Sequence, residues 1–157
     1  MRLLIACAGS QHKWGGYLRV PSHLAPVDGE PLLARTVQML RERTDAPITI
    51  TAPHGAEGYD VPDAVTCYTD TAFNEFAGTR DLWNDYGRTV LLLGDVYFTD
   101  AALDTILDPG MDGWRTFGRR HGSEVTGCRY GDCRSGRSCR AVGYPEKCHS
   151  GIHPDHD

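Results

Sequence analysis

Strand-length apolar runs alternate with helix-length amphipathic stretches along the first two thirds of the chain, and this alternation most constrains the fold. Arg2 to Ala8 is a short apolar run that ends at Gly9, which reads as a buried strand followed by a turn. A glycine-punctuated loop leads to Asp28, a candidate N-cap, and to Pro31 at an early helical position. Leu32, Leu33, Thr36, Val37 and Leu40 then share one helical face. Asp45-Ala46-Pro47 closes that helix, Ile48 to Ala52 is a second strand, and Val65 to Thr69 is a weaker third. Thr79 can cap a short helix with Leu82, Trp83 and Tyr86 on its inner face, ended by Gly87. Thr89 to Leu93 is the most apolar strand, with Gly94-Asp95 directly behind it. Thr99 or Asp100 caps a helix bearing Ala102, Leu103, Ile106 and Leu107, stopped by Pro109-Gly110; Trp114 to Arg119 is a fifth strand. Strands and helices in alternation predict an α/β fold of three layers, a mostly parallel sheet with helices on both faces.

The chain is 157 residues long, the size of one domain, with 40% apolar and 24% charged residues, as in ordinary globular proteins. No apolar run approaches the roughly 20 residues of a membrane helix. The apolar core of Leu3-Leu4-Ile5-Ala6 is too short for a signal peptide, so a cytoplasmic protein is expected. Net charge is −5, but it is unevenly distributed. Residues 1–114 hold eight basic and sixteen acidic side chains; residues 115–148 hold eight basic and three acidic ones. The expected organisation is therefore an acidic α/β domain over residues 1–120 and an irregular, basic, Cys/His-rich segment over 121–157, either separate or part of the same domain.

In parallel sheets ligands bind beyond the carboxyl ends of the strands. Two polar loops stand there, Gly9 to His23 and Gly94-Asp95. The first, Ala8-Gly9-Ser10-Gln11-His12-Lys13, has little side-chain bulk at its start, so backbone amides can approach a nucleotide while Lys13 meets its phosphates as a point charge. A plain strand-to-loop turn with an exposed lysine would have the same sequence. Asp95 sits where a buried strand surfaces, behind a glycine that admits a ligand, and its carboxylate suits Mg²⁺. The other reading makes Asp95 a turn residue or the cap of the next helix, although Thr99 and Asp100 already fill the capping role.

These segments resemble those of a known family. Ala6-Cys7-Ala8-Gly9-Ser10-Gln11-His12-Lys13 is similar to the L-A-A-G-x-G-x-R signature of sugar-phosphate nucleotidyltransferases and MobA-like NTP transferases, and Pro21 to Leu33 is similar to their P-K-x-L-x-P-v-x-G-k-P-l-l segment. Asn74 to Trp83 resembles a later N-…-S-L-w stretch, and Leu92-Leu93-Gly94-Asp95-Val96-Tyr97-Phe98 resembles the l-x-G-D-v-x-f strand end. The order and rough spacing agree over residues 1 to about 110. The resemblance implies a GT-A-type nucleotidyltransferase fold, with Asp95 binding catalytic Mg²⁺ and Lys13 facing the leaving group. Ala8, Gly9, Ser10, Gln11, Asn74, Gly78 and Thr79 would line the nucleotide. It also implies an NTP and a phosphorylated small molecule, a sugar-phosphate or phosphocholine-like acceptor, as partners. Three departures stand out. Gln11 replaces the second signature glycine, Lys13 replaces the arginine, and Ser22 replaces a phosphate-binding lysine, with only His23 or Arg19 near it. The family's distal half is also largely missing.

The basic end holds Cys128, Cys133, Cys139 and Cys148, followed by His149, His153 and His156. Four thiols within twenty-one residues supply enough soft ligands for a Zn²⁺ site, though the spacing matches no common finger. Reduced loop cysteines or oxidised pairs would have the same sequence. The arginines there suit a solvated basic face or an anion, and no helix-turn-helix or RNA-binding aromatic pattern accompanies them. The expected function is Mg²⁺-dependent nucleotidyl transfer with release of pyrophosphate. Its rival is a catalytically inactive nucleotide-binding module with a zinc-stabilised partner surface. A nucleotide-sugar glycosyltransferase ranks lower, because Asp95-Val96-Tyr97 lacks the second carboxylate of an Asp-x-Asp.

Overall fold

The structure, a computed structural model, describes residues 1–9, 14–70, 78–110, 113, 115–118 and 125–130. Its strands are β1 (Arg2–Ala6), β2 (Pro26–Val27), β3 (Glu30–Pro31), β4 (Ile48–Pro53), β5 (Val65–Thr69), β6 (Thr89–Leu93), β7 (Arg115–Gly118) and β8 (Val125–Tyr130). Two α-helices are described, α1 (Leu32–Arg41) and α2 (Asp100–Leu107), with 3-10 turns at Tyr17–Arg19, Ser22–Leu24 and Arg80–Leu82. Six strands form one sheet in the order β5-β4-β1-β6-β8-β7. The first four are parallel, while β8 runs antiparallel to both β6 and β7. The expected α/β class and mostly parallel sheet are what the chain adopts.

The strand sequences explain the layering. Side chains alternate across a strand, so an apolar run buried on both sides feeds two cores. Leu3 and Ile5 of β1, with Val90 and Leu92 of β6 and Ile48 and Ile50 of β4, meet the inner faces of both helices. Leu33, Val37 and Leu40 of α1, spaced four and three residues apart, join Leu103 and Ile106 of α2 in that core. Arg43 ties the helices together through Asp100 at 2.5 Å and Asp104 at 2.8 Å. Leu4, Ala6 and Leu91 face the other way, where Leu82, Trp83 and Leu93 pack on them.

Four local expectations are revised. Asp28 does not cap α1. It stands at φ +52 with Gly29 at φ +91, forming the two-residue turn of a hairpin between β2 and β3. The helix begins after Pro31, and the Leu32 amide donates to Ala25 O at 3.0 Å. Thr79 accepts no capping bond, and the turn it precedes ends at Leu82 because Trp83 is extended. Tyr86 therefore lies beyond any helix and is 94% exposed, not inward-facing. Finally, Val125–Tyr130, in the segment expected to be irregular, is a strand between β6 and β7. The expected cap at Thr99 is formed, its Oγ1 accepting from the Ala102 amide. Among the described residues no helix is long and apolar enough to cross a membrane.

Candidate functional site

The strand order places one break in the winding. From β1 the chain crosses to β4 on one side, and β6 later fills the other side. Loops leaving β1 and β6 therefore diverge, and the crevice between their carboxyl ends is where such sheets bind ligands. Cys7, Ala8 and Gly9 leave β1 there; Gly94 and Asp95 leave β6 beside them. The two ends are joined by the Gly94 amide, which donates to Ala6 O at 2.9 Å, while the Cys7 amide donates to Thr51 O at 2.9 Å.

Gly94 is fixed by its neighbours rather than by its dihedrals. A Cβ at this position would overlap Cys7 Sγ and stand 3.0 Å from His23 Cδ2 and 3.1 Å from Ala6 O. No side chain fits between the two strand ends. Beyond it the chain turns, the Val96 amide donating to Leu93 O at 3.4 Å, and Asp95 emerges exposed. Among the described residues nothing pairs with its carboxylate, which is left open to solvent. Thr99 caps α2, so Asp95 does not, while Gly94-Asp95 form a turn as the other half of that reading expected.

Beneath this rim lies a buried polar group that the sequence did not reveal. His23 is 3% exposed, and its Nδ1 stands 3.2 Å from the Tyr59 hydroxyl. His23, one of the two residues near the serine at position 22, has its ring buried beneath Gly94. Arg19 is exposed on a strap whose backbone is left-handed at Gly15, Gly16, Leu18 and Arg19. Burial pushes the Cys7 thiol far above its ordinary range, and the nearby charge of Asp95 pushes it further. The Tyr59 phenol is pushed up to about 12, by burial first and then by Cys7.

These shifts have a sign. Cys7 and Tyr59 stay protonated in the native state at a pH where the unfolded chain ionises them, so the native state then binds more protons. Their contribution to stability is fully present below about pH 9, the ordinary thiol value, and is lost as pH rises towards the folded values. Urea midpoints should fall steadily between about pH 9 and about pH 10.5, and Cys7→Ala should delay the onset. A midpoint flat across that range contradicts the burial of both groups.

Thr79 is fully buried, and its Oγ1 accepts from Trp83 Nε1 at 3.1 Å, which directs the hydroxyl into the second core; Gly78 is half-buried before it. Ser10, Gln11, Lys13 and Asn74 lie outside the described residues, as do Cys133, Cys139 and Cys148. Cys128 is placed only by its backbone, in β8 opposite Leu91. Among the described residues no three potential ligands cluster as a metal centre. The structure thus brings together Ala8, Gly9 and Asp95 from the residues singled out in the sequence, and adds His23, Tyr59 and Gly94's steric constraint.

No protein-family model and no curated protein matches this sequence. Solved structures do. A hypothetical transferase from Thermus thermophilus superposes with a TM-score of 0.53 at 20% identity, over 71% of this chain and 48% of that one. Rv0371c from Mycobacterium tuberculosis H37Rv gives 0.50 at 20% identity, over 69% and 59%. The 2-C-methyl-D-erythritol 4-phosphate cytidylyltransferase of Thermus thermophilus gives 0.51 at 17% identity, over 80% and 61%. The chain spans about half to three fifths of the length of these proteins. At such identities the likeness is one of architecture: this chain has a Rossmann-like α/β fold of the kind seen in a cytidylyltransferase.

Proposed function

We propose that the chain is a divalent-metal-dependent nucleotidyltransferase, moving a nucleotidyl group from an NTP to a phosphorylated small molecule and releasing pyrophosphate. The observation that carries this reading is Asp95, an exposed carboxylate without a partner among the described residues. It is set at the mouth of the β1–β6 crevice behind a glycine whose Cβ position its neighbours already fill. Its donor chemistry fits Mg²⁺, which is commonly held by one or two carboxylates together with substrate phosphates rather than by a full protein cage. Bound there, the metal would supply charge neutralisation at the α-phosphate.

The remaining work falls to the chain itself. Ala8 and Gly9 present little side-chain bulk where β1 ends, so backbone can come close to a nucleotide. Ser10, Gln11, Asn74, Gly78 and Thr79 complete its surroundings in this reading. Lys13 places positive charge towards the departing pyrophosphate. Attack by an acceptor phosphate oxygen on the α-phosphorus forms one P–O bond as the bond to pyrophosphate breaks. No covalent enzyme intermediate is required, so catalysis is positioning and electrostatics.

One finding favours the second reading, a nucleotide-binding module without catalysis: position 22 is serine, and the ring of the neighbouring His23 is buried against Tyr59. The two are separated by thermal shifts with the four NTPs, with and without Mg²⁺, followed by pyrophosphate assays with phosphomonoester acceptors. Mg²⁺-dependent stabilisation by an NTP with pyrophosphate release supports the transferase. Stabilisation without release supports the module, and no stabilisation by any NTP removes both. Zinc analysis of the purified chain tests the C-terminal clip on Cys128, Cys133, Cys139 and Cys148.

A further inference from the structure

We infer that Arg35, laid against Tyr97, is the anchor for the acceptor's phosphate group. This rests on the nucleotidyltransferase reading and names what its second substrate must carry. Arg35 is the fourth residue of α1, at the end of its first turn, and the start of this helix is joined to the loop holding His23 under Gly94. Its guanidinium carbon sits 4.1 Å from the Tyr97 ring centroid. Nη1 donates to Phe98 O at 2.9 Å and Nη2 donates to the Tyr97 hydroxyl at 3.1 Å. Tyr97 is 53% exposed, so this arrangement stands at the surface.

Among the described residues Arg35 is one of the arginines that meet no carboxylate, and it differs from the others in lying against Tyr97, in the loop that follows Asp95. Arg43 is neutralised by Asp100 and Asp104, and the guanidinium of Arg41 is bound to the Asp63 and Ala46 carbonyls. Among the described residues no carboxylate pairs with Arg35. A ring and a carbonyl orient it while leaving its charge uncompensated, and three of its five N–H groups remain available. An oriented guanidinium loses less freedom on binding than a free one and matches a phosphate with two parallel hydrogen bonds. Tyr97, on which Arg35 rests, lies two residues past Asp95, at most ~7 Å along the backbone. Arg35 therefore flanks the loop that carries Asp95, where one phosphate of the acceptor can be held while it approaches a nucleotide.

The test uses the full chain labelled at arginine, observing the Nε–Hε signal of Arg35, assigned with Arg35→Lys. Titrated with glycerol 3-phosphate in the absence of nucleotide and metal, the Arg35 signal should shift saturably while that of Arg43 stays in place. Tyr97→Ala should weaken half-saturation about ten- to a hundredfold, as expected when an oriented charge-assisted contact is lost. Tyr97→Phe, which keeps the ring, should weaken it less. A response that never saturates, one shared by Arg43, or one unchanged in Tyr97→Ala overturns the inference. So does a stronger response to pyrophosphate than to the phosphomonoester, since the group would then serve the leaving group. Shifts of the Gly9 and Gly94 amides on adding Mg²⁺ and an NTP report the nucleotide separately. If those appear without an Arg35 response, the anchor fails while the nucleotide reading stands.

Discussion

Asp95→Asn should leave the chain folded and remove its response to Mg²⁺. The substitution keeps the size of the side chain and deletes the charge that a divalent ion needs. Because Asp95 is exposed and has no hydrogen bond among the described residues, the folded state should change by less than about 0.5 kcal/mol. Metal-assisted charge stabilisation is worth several kcal/mol, and each 1.36 kcal/mol is a factor of about ten, so pyrophosphate release should fall on the order of 10²–10³-fold. Stabilisation by NTP with Mg²⁺ should fall to the level seen with NTP alone. Retention of full Mg²⁺ dependence in the variant would move the metal elsewhere and end the transferase reading of this rim.

Gly94→Ala should produce the largest loss of stability available from one added methyl group near the site. The new Cβ has no free volume. Cys7 Sγ occupies its position, with Ala6 O and His23 Cδ2 at 3.1 and 3.0 Å. The sulfur is in the core, and the carbonyl belongs to β1, which is hydrogen-bonded to strands on both sides. Overpacking of this kind costs about 1–3 kcal/mol, which for a chain of this length lowers Tm by about 3–10 °C. Combining it with Cys7→Ala removes the worst collision, so the double variant should be more stable than the sum of the two single effects predicts. A Gly94→Ala variant that melts with the parent would show that the strand ends are further apart than described.

The site and the fold were legible in the sequence to different depths. Apolar strands such as Thr89–Leu93 and the helical stripe of Leu33, Val37 and Leu40 are local patterns, because burial on two faces or one dictates which residues a segment can carry. Asp95 could be located because a carboxylate directly behind a buried strand must surface at the strand's end. The Asp28-Gly29 hairpin was hidden by the equal suitability of aspartate for a helix cap, and only the pairing of Pro26–Val27 with Glu30–Pro31 decides between them. β8 was hidden for another reason. Val125–Tyr130 alternates weakly and is rich in polar residues, so its strand character comes from the two neighbours that supply its hydrogen bonds.

Short-range periodicity and chain punctuation were enough to set the α/β class, the run of strands in the parallel sheet and the acidic residue at the β6 end. Long-range packing alone brings Cys7, His23 and Tyr59 together beneath Gly94, and carries Arg35 to Tyr97 across 62 residues of chain. Those meetings depend on how strands are ordered and how a helix packs across them. Such choices are made by burying the sheet's two faces as a whole, and no local spacing records them.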